Sequence, residues 1–292
     1  MQEVKVTIVN AFAQGKKGGN PAGVVLDADE LNQQEKQEIA RKTSLSETVF
    51  ISGSQEADFR FEFFTPSRQI AHCGHATIAA FSYLKQLGEI KGDVSSKETV
   101  DGVRKIYFEG EMAFMEQQKP VFEQMDEVDN IKALHALGLT QLHLIANRPP
   151  EIVNTGNAFL IVPVKNEHIL SKIQPNQSLI STLSEKYGLI GFYLYAVPTE
   201  RISAGEDAID ATTRMFAPFY GINEEAATGM AAGPLACYLD KYNNKVQLTY
   251  QITQGRFMNP PSPSQILVRL QKNSFGIQGL YAGGGAYVSN IK

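Results

Sequence analysis

The chain has 292 residues and 43% hydrophobic content, which is enough for two globular cores of ordinary size. Its 27 basic residues against 31 acidic ones give a formal net charge of -4, and no basic run contains interleaved aromatic residues, so a nucleic-acid partner is not expected. The sequence has neither a signal-peptide pattern nor an apolar stretch of membrane-spanning length, and its two cysteines make no disulfide framework. These features predict a cytoplasmic protein without a membrane partner.

The first half of the chain predicts strands around a single apolar helix. An amphipathic helix is expected at residues 32–42, and strands are expected at residues 4–9, 23–26, 48–52, 58–63, 103–108 and 112–117. Residues 58–63 alternate between apolar and charged side chains, which predicts one buried face and one face in water. The run after Cys73 is apolar all round, as in a helix buried in an interior, and Gly88 is a natural stop for it. The pattern predicts an α+β domain whose sheet curls around this helix.

The second half repeats this pattern less clearly. Helices are expected at residues 126–137 and 177–187, and strands are expected at residues 142–145, 159–163, 191–197, 207–214, 245–252, 264–270 and 286–289. A second helix that is apolar all round follows Thr228. The strands of the first half stop near residues 120–126, which predicts domains at residues 1–122 and 123–292. The last strand is a candidate to return to the first domain.

The two halves share three landmarks in the same order. Each half has a Gly-Asn turn before an apolar strand, then a Phe-x-Pro turn, then a glycine at the start of its apolar helix. The paired segments are Gly19-Asn20 and Gly156-Asn157, Phe64-Thr65-Pro66 and Phe216-Ala217-Pro218, and Cys73-Gly74-His75 and Thr228-Gly229-Met230. A period of about half the chain is too long for a solenoid and predicts an internal duplication into two similar domains.

The two glycine-containing helix starts are candidate anion sites. The first backbone N–H groups of a helix have no partner within it and lie at the positive end of its dipole, so a buried start can bind a carboxylate or a phosphate. We expect the backbone amides of Gly74, His75, Gly229 and Met230 to hold one anionic ligand. The alternative is that the two glycines only allow close packing.

Other motifs predict no further site. Residues 15–19 resemble a phosphate loop but lack its Lys-Ser/Thr ending and the helix that follows, so a flexible turn is expected. His135, His143 and His168 do not have ligand spacing, so no metal is expected. Cys237 lies inside an apolar helix and is interpreted as a core residue. No dinucleotide fingerprint is present, and no cofactor is expected.

Several motifs together resemble one known family, the phenazine-biosynthesis isomerase-like proteins, which are relatives of diaminopimelate epimerase. The resemblance covers nearly the full chain and rests on the segments Gly19-Asn20-Pro21-Ala22-Gly23-Val24, Ser46-Glu47-Thr48-Val49-Phe50, Phe64-Thr65-Pro66, Cys73-Gly74-His75-Ala76-Thr77, Arg214-Met215-Phe216-Ala217-Pro218, residues 224–231 and Gln254-Gly255. It implies a diaminopimelate epimerase-like fold, with two domains related by a pseudo-twofold axis, each a curled sheet around a central helix, and a cleft between them. It also implies a cofactor-independent isomerase and leans toward a homodimer.

Glu47 is the first catalytic candidate. It opens a short apolar strand, which is an unusual place for a carboxylate unless it points into a cavity, where partial desolvation would raise its pKa toward that of a general acid/base. Without the resemblance, the alternative is a surface glutamate that caps a turn. In the family, the matching glutamate moves a proton between carbons of a cyclohexadiene carboxylate, so the resemblance implies this role for Glu47.

His75 is the second catalytic candidate. It lies in the first turn of the apolar helix, where the positive end of the dipole favours a neutral imidazole that can both donate and accept. The resemblance implies that it hydrogen-bonds an amine or a carbonyl of the substrate, and the alternative is a residue that faces solvent. His72 has no family counterpart and is interpreted as structural.

Cys73 separates an isomerase from a racemase. In two-base racemases of the related epimerase type, a cysteine precedes the glycine at both helix starts, and the helix dipole lowers the pKa of the thiol. Here the first start has Cys73 and the second has Thr228, so one of the two thiols is missing. The sequence therefore disfavours a symmetric cysteine racemase and favours an isomerase centred on Glu47.

The second half departs from the family pattern. Where members usually have Glu-Asp-Pro-x-Thr-Gly-Ser, this chain has Glu224-Glu225-Ala226-Ala227-Thr228-Gly229-Met230. Glu225 can accept the same hydrogen bonds as the aspartate, whereas Met230 makes that wall of the expected cleft apolar. Gln69 replaces a residue that is usually acidic. The dihydro-hydroxyanthranilate substrate of the family is therefore left open for this chain.

The sequence predicts a cytoplasmic isomerase that binds a small carboxylate between its two domains. Its expected catalytic residues are Glu47, His75 and Glu225. The residues expected to contact the substrate are Asn20, Cys73, Gly74, Thr228, Gly229 and Met230. Two alternatives stay open, namely a carboxylate-binding protein that has lost catalysis, as the changes in the second half permit, and a racemase or epimerase.

Overall fold

The computed structural model describes residues 4–198, 208–243 and 247–291. Within them the chain forms two compact units, one running up to Glu116 together with the segment from Gly283, and the other spanning Gln117–Ala282. The strands predicted at residues 207–214 and 245–252 begin outside the described residues. The strands observed there are Ala211–Phe216 and Thr249–Gln254.

The first unit consists of a sheet and two helices. Its helices are α1 (Gln33–Thr43) and α2 (Gly74–Gln86). Its strands up to the unit boundary are β1 (Thr7–Ala11), β2 (Asn20–Val25), β3 (Thr48–Ser52), β4 (Phe59–Phe64), β5 (Gln69–Ile70), β6 (Val94–Thr99), β7 (Gly102–Glu109) and β8 (Met112–Gln117). The predicted hairpin of β7 and β8 is confirmed, with Glu109 opposite Met112.

Helix α1 fixes the segment that leads to Glu47. The Asn32 side chain accepts from the backbone N–H of Glu35 at 3.1 Å, and the Glu35 carboxylate accepts from the backbone N–H of Asn32 at 2.9 Å, which forms a capping box. At the other end, Ser44 has a φ of 57°, which turns the chain out of the helix. The chain then enters β3 directly after Glu47.

The apolar run after Cys73 forms the buried helix that the sequence predicts. Helix α2 packs against β1, β2 and β3 of its own unit, and every residue from Gly74 to Leu84 is buried. The helix ends at Gln86, and Gly88 follows with a φ of 79°, a conformation that favours glycine. A helix without a polar face is stable here because the sheet covers it.

The face of β4 that was predicted to lie in water is buried in its second half. All residues from Phe61 to Phe64 are buried. The Glu62 carboxylate forms an ion pair with Lys36 of α1 and accepts from the Gln33 side chain at 2.7 Å. The alternation of charged and apolar residues predicts a solvent face, but a buried lysine supplies the counter-ion that lets the glutamate enter the interior.

The second unit has a sheet and four helices within the residues that the structure describes. The helices are α3 (Glu127–Ala136), α4 (Glu167–Lys172), α5 (Gln177–Tyr187) and α6 (Gly229–Tyr242). The strands are β9 (Val121–Glu123), β10 (Glu151–Asn154), β11 (Ala158–Pro163), β12 (Gly191–Ala196), β13 (Ala211–Phe216), β14 (Thr249–Gln254), β15 (Ser264–Asn273) and β16 (Gly276–Gly284). The last strand of the chain, β17 (Ala286–Ile291), pairs with β1 of the first unit.

One predicted strand of this unit is wrong. Residues 142–145 were expected to be extended, but Gln141–His143 form a short 3-10 turn. The backbone N–H of Thr140 donates to the His143 ring at 3.0 Å, which holds the turn closed. Leu142 is 84% exposed, so its apolar side chain does not mark a buried strand.

Each unit has its own apolar core. In the first, Ala40 of α1 packs with Val25, Phe50 and Phe64 of the sheet. In the second, a larger buried cluster joins α3, α4 and α5 to strands β10 to β13. Among the helices of the described residues, none combines the length and the apolar character that a membrane crossing needs.

The two units repeat one strand order. In the first the order is β17-β1-β2-β3-β4-β6-β7, and in the second it is β9-β10-β11-β12-β13-β14-β15. In both orders the third and the fifth pairings are parallel, and the others are antiparallel. The parallel pairings are β2–β3 and β4–β6 in the first unit, and β11–β12 and β13–β14 in the second. The apolar helices α2 and α6 occupy the same crossover. The predicted duplication is therefore confirmed as a repeat of an α+β topology.

Strand register gives the residues that correspond between the units. The residue after Glu47 lies opposite Phe64, and the residue after Gly191 lies opposite Phe216. Both phenylalanines begin the repeated Phe-x-Pro turn. Glu47 therefore corresponds to Gly191.

The same reference relates β6 to β14. Phe59 lies opposite Lys97 in the first unit, and Ala211 lies opposite Ile252 in the second. Counted back from the Phe-x-Pro turn, Phe59 and Ala211 are the same position of their strands. Lys97 therefore corresponds to Ile252.

We predict that Gly191→Ala destabilises the second unit. A Cβ at Gly191 would lie 2.3 Å from the carbonyl oxygen of Phe216 and 3.0 Å from the Cβ of Ala217, so the strands would have to separate. Overpacking of this kind costs about 1–3 kcal/mol, measured as a loss in the free energy of unfolding in urea. Gly53→Ala is the control, because its nearest neighbour is Asp29 Oδ1 at 3.5 Å. Equal urea midpoints for the two variants would contradict the prediction.

Candidate active site

Helix α2 starts at a residue that does not cap it in the usual way. Cys73 has an extended backbone, with a φ of -144°, and makes no side-chain capping hydrogen bond. Serine, threonine, aspartate or asparagine at this position would normally supply such a bond. The start therefore presents backbone N–H groups at the positive end of the helix, as the predicted anion site requires.

Glu47 is held in place by the pairing of β2 with β3. Its carbonyl oxygen accepts from the backbone N–H of Gly23 at 3.0 Å. A Cβ at Gly23 would lie 2.8 Å from Thr48 Oγ1, so the close approach of the two strands needs a glycine there. Glu47 itself is buried, with 9% of its surface exposed. Its burial rules out the alternative of a surface glutamate that only caps a turn.

The structure brings Glu47, Cys73 and His75 together within the first unit. His75 Nε2 lies 3.2 Å from Glu47 Oε2, and His75 Nδ1 lies 3.5 Å from Cys73 Sγ. All three residues are buried. The imidazole therefore connects a thiol on one side to a carboxylate on the other.

The pKa of Glu47 is lowered, which corrects the predicted rise. Burial is the largest influence and does raise the pKa, as the sequence argument assumed. It is outweighed by the close contact and the charge interaction with His75, together with a hydrogen bond from Ser46. At neutral pH the side chain is thus a carboxylate, which is the form of a general base.

The pKa of the Cys73 thiol is raised. Burial is the main cause, and the Glu47 carboxylate adds to it, while His75 opposes it. A buried thiol of this kind stays protonated at neutral pH, unlike the activated thiolates of two-base racemases. Cys73 is therefore a weak candidate for a proton-abstracting base.

The imidazole of His75 faces a different partner at each ring nitrogen. Nδ1 lies beside the Cys73 thiol, and Nε2 lies beside the Glu47 carboxylate. Because His75 lowers the pKa of Glu47, the ring helps to keep that side chain ionised. The neutral imidazole expected from the first helical turn stays a prediction.

The same three side chains also offer donor atoms for a metal ion. Their donor atoms all lie within 4.8 Å of one another. A metal ion binds the thiolate form, so binding here would have to displace the proton of the Cys73 thiol. The expectation that the protein needs no metal stays a prediction.

The second helix start is held by a polar network of its own. The Thr228 hydroxyl donates to the Glu225 carboxylate. The Gln254 side chain accepts from the backbone N–H of Thr228 at 3.2 Å and donates to the carbonyl oxygen of Glu225 at 2.6 Å. Tyr193 donates to the same glutamine at 3.0 Å. The Glu225 carboxylate is thus engaged in fixing the start of α6.

Met230 and Gly229 also have contacts within the second unit. The side-chain amide of Asn157 donates to Met230 Sδ at 3.4 Å, and Asn157 is the counterpart of Asn20 in the repeated Gly-Asn turn. The carbonyl oxygen of Gly229 accepts from the Gln117 side chain at 2.9 Å. The sulfur atom therefore takes a place where a family serine would present a hydroxyl.

The second unit lacks the acid/base residues of the first at the corresponding positions. Gly191 stands where Glu47 stands, and the strands leave no room for a side chain there. Counted from the helix start, Met230 corresponds to His75. The residues predicted as one site thus form two sets, each described within its own unit, and only the first set contains a base beside an imidazole.

Two further residues bear on the prediction. Asn20, predicted to contact substrate, begins β2 and is buried. Lys97 was not predicted, because β6 is a polar segment to which the hydrophobic pattern assigned no strand. It is fully buried beside His72, which was interpreted as structural. The signal that could have identified Lys97 is its place in a segment that follows the apolar helix α2 and precedes the hairpin of β7 and β8.

Comparison with known proteins shows similarity along the whole chain. The sequence model of one family, described as phenazine biosynthesis-like protein, matches residues 9–289. An uncharacterized isomerase of Clostridium acetobutylicum is 33% identical over 276 residues, which cover 90% of this chain and 89% of that protein. The trans-2,3-dihydro-3-hydroxyanthranilate isomerase of Pseudomonas aeruginosa is 28% identical over 268 residues, 88% of each protein.

A solved structure extends the similarity to the fold. The crystal structure of a Bacillus anthracis phenazine biosynthesis protein of the PhzF family matches with a TM-score of 0.87 and 25% sequence identity. The match covers 100% of this chain and 99% of that one. Both the α+β fold and the family resemblance of the sequence are therefore confirmed.

We predict that Glu47→Gln loses stability only where the carboxylate is ionised. Because the pKa of Glu47 is lowered in the folded chain, its ionised form adds stability above the ordinary carboxyl pKa, and this contribution is lost as pH falls through the folded value. The wild type should exceed the variant by on the order of 1 kcal/mol at pH 7, measured by urea unfolding, and the difference should vanish in acid.

His75→Asn provides the matched background for this measurement. The imidazole is the main group that lowers the pKa of Glu47, so the pH dependence of the Glu47→Gln effect should shrink when it is absent. A pH dependence of equal size in both backgrounds would show that His75 does not set the protonation of Glu47.

Proposed function

The chain belongs to the phenazine biosynthesis-like family, and we propose that it is a cofactor-independent isomerase that moves a proton between two carbons of a small carboxylic acid. The observation that carries this proposal is the 3.2 Å contact between His75 Nε2 and Glu47 Oε2. It places a buried carboxylate, ionised at neutral pH, beside an imidazole that orients it.

The reaction is balanced without a cofactor. The Glu47 carboxylate removes a proton from a substrate carbon, which leaves a carbanion delocalised into the substrate and a neutral carboxylic acid on Glu47. The same acid then returns the proton to a different carbon of the delocalised system. No net charge, electron or atom is gained or lost, so proton transfer by one side chain completes the isomerisation.

The start of helix α2 supplies a place for the substrate carboxylate. The backbone amides of Gly74 and His75 lie at the positive end of the helix, in the same turn as the imidazole that contacts Glu47. An anion held there would present its neighbouring carbons to Glu47. The same positive end would stabilise the negative charge that develops when the proton leaves.

A racemase with two thiol bases is the less favoured alternative. Burial keeps the Cys73 thiol protonated, and Thr228 stands at the corresponding helix start of the second unit. A hydroxyl is a much weaker acid than a thiol and cannot return a proton in the same way. Glu47 is therefore the proposed base.

The substrate class follows from family membership together with the changes in the second unit. The Pseudomonas aeruginosa relative is named for its action on trans-2,3-dihydro-3-hydroxyanthranilate, a cyclic amino acid. We propose a substrate of related chemistry, an amino or cyclic carboxylic acid. Met230 and Glu225 replace two family residues, and this difference supports a substrate that is not identical. The shared binding cleft and the homodimer stay predictions.

Hydrogen–deuterium exchange tests the proposal. The protein is incubated in deuterated water with trans-2,3-dihydro-3-hydroxyanthranilate and a panel of small amino and cyclic carboxylic acids, and deuterium at carbon is followed by proton NMR. We expect exchange in at least one compound. Glu47→Gln should lower its rate at least about 1000-fold, since it removes the base and leaves the binding groups in place.

Cys73→Ser is the matched comparison. It removes the thiol beside His75 but keeps the carboxylate, so it should lower the rate less than about tenfold. A large loss in Cys73→Ser together with a small loss in Glu47→Gln would favour the racemase. Binding of a panel compound, measured by calorimetry, without exchange would favour the carboxylate-binding protein.

A further inference from the structure

A lysine is buried without a carboxylate partner behind the start of helix α2. Lys97 is 0% exposed. Its Nζ donates to Thr77 Oγ1 at 2.6 Å, lies 3.3 Å from His72 Nδ1, and lies 4.7 Å from the centre of the Phe63 ring. Among the described residues, no carboxylate lies within ion-pair distance of this ammonium group. Two hydrogen-bond acceptors and an aromatic face take the place of a counter-ion.

The surroundings of Lys97 disfavour its charged form, which lowers its pKa. The pKa of Lys97 is lowered to about 7, mainly by burial and also by the nearby Arg104, while Cys73 and Asp101 act in the opposite direction. His72, the remaining titratable neighbour, has a pKa lowered to about 3 by its burial and by the charges of Lys97 and Arg104. The imidazole of His72 is therefore neutral and accepts from the lysine.

Hydrogen bonds connect Lys97 to the helix start. The Thr77 hydroxyl accepts a hydrogen bond from Lys97 and donates one to the carbonyl oxygen of Cys73 at 2.7 Å. Cys73 is the capping residue of α2, and the next two residues are Gly74 and His75. The lysine thus lies two hydrogen bonds from the residue whose thiol contacts His75.

The second unit shows that the fold does not require this network. Register places Ile252 at the position of Lys97. Counted from the two helix starts, Ala227 corresponds to His72 and Ala232 to Thr77. All three residues of the second unit are buried and apolar. The same topology therefore folds with apolar residues at these three positions, where the first unit has Lys97, His72 and Thr77.

We propose that Lys97 is a positioning residue for the active unit, which holds the first turn of α2 through Thr77 and His72 and supplies positive charge behind the groups that bind and deprotonate the substrate. The inference rests on the function proposed above. It assigns to a polar strand a role that the second unit, which lacks the base, does not need.

The proposal has a physical basis in the charge that proton removal creates. When Glu47 takes a proton, negative charge moves onto the substrate at the helix start, and a fixed ammonium group behind that start stabilises it. The stabilisation is present while Lys97 is protonated. It is lost as pH rises through about 7, where the amine becomes neutral.

NMR tests the coupling without any substrate. In protein labelled with carbon-13 at the lysine ε position, the signal that disappears in Lys97→Met should titrate near pH 7. The backbone amide signals of Gly74 and His75 should shift with the same midpoint in the wild type, and this transition should be absent in Lys97→Met. Amide signals that are the same in both proteins at every pH would overturn the proposal.

Kinetics test the role in turnover, on any compound that exchanges its proton with the wild type. Lys97→Met should lower kcat by about 10- to 100-fold and change KM less than about threefold, because the supporting group acts mainly on the transition state. The fall in kcat above pH 7 should disappear in the variant. Lys36→Met, which removes the other buried ammonium of this unit, is the control and should leave kcat and its pH profile unchanged.

Thr77→Val keeps the size of the side chain and removes the hydroxyl that links Lys97 to Cys73. It should lower kcat as Lys97→Met does, the double variant should be no slower than either single one, and Thr77→Ser should recover most of the loss. Additive losses, or a loss in Lys36→Met equal to that in Lys97→Met, would assign Lys97 a structural role and overturn the proposal. If the wild type exchanges no proton in any compound, the proposed function fails, and the amide titration still decides whether Lys97 acts on the helix start.

Discussion

The contact between the Glu47 carboxylate and the His75 imidazole is the interaction on which the site depends. Burial alone would raise the pKa of Glu47 and leave an acid where the proposed reaction needs a base, and the imidazole reverses the sign of that effect. The contact exists because a parallel strand pair and a helix start converge, since Gly23 lets β2 approach β3 and Cys73 opens α2. The backbone therefore brings His75 to Glu47, and this contact keeps the carboxylate ionised.

The two units show how one topology can carry different chemistry. Strand order, strand sense and the place of the apolar helix are the same, yet Gly191 stands where Glu47 stands and its neighbours leave no space for a Cβ. In the second unit, Gln254 and Glu225 use their hydrogen bonds to hold the start of α6. The polar network that fixes the start of α6 and the network proposed to transfer a proton at the start of α2 thus lie at corresponding positions of the two units.

Hydrophobic pattern and family motifs predicted the buried helix α2, the hairpin of β7 and β8, and the residues Glu47, Cys73 and His75. They could not predict the pKa of Glu47, because its direction depends on a distance of 3.2 Å between residues far apart in the sequence. Strand β6 could not be predicted for a related reason. Its side chains are largely polar, and a periodic pattern cannot show that Lys97 is buried when its partners come from other elements.

The two buried lysines of the first unit differ in how their charge is compensated, and the difference indicates which of them serves a purpose other than stability. Lys36 is buried with the Glu62 carboxylate as its counter-ion, an arrangement that a fold can use for itself. Lys97 is buried with a hydroxyl, a neutral imidazole and an aromatic ring, which compensate an ammonium group less well, so its pKa falls to about 7. Since Ile252 fills the corresponding position without that cost, the lysine is better explained by the charge it brings to the helix start than by any contribution to folding.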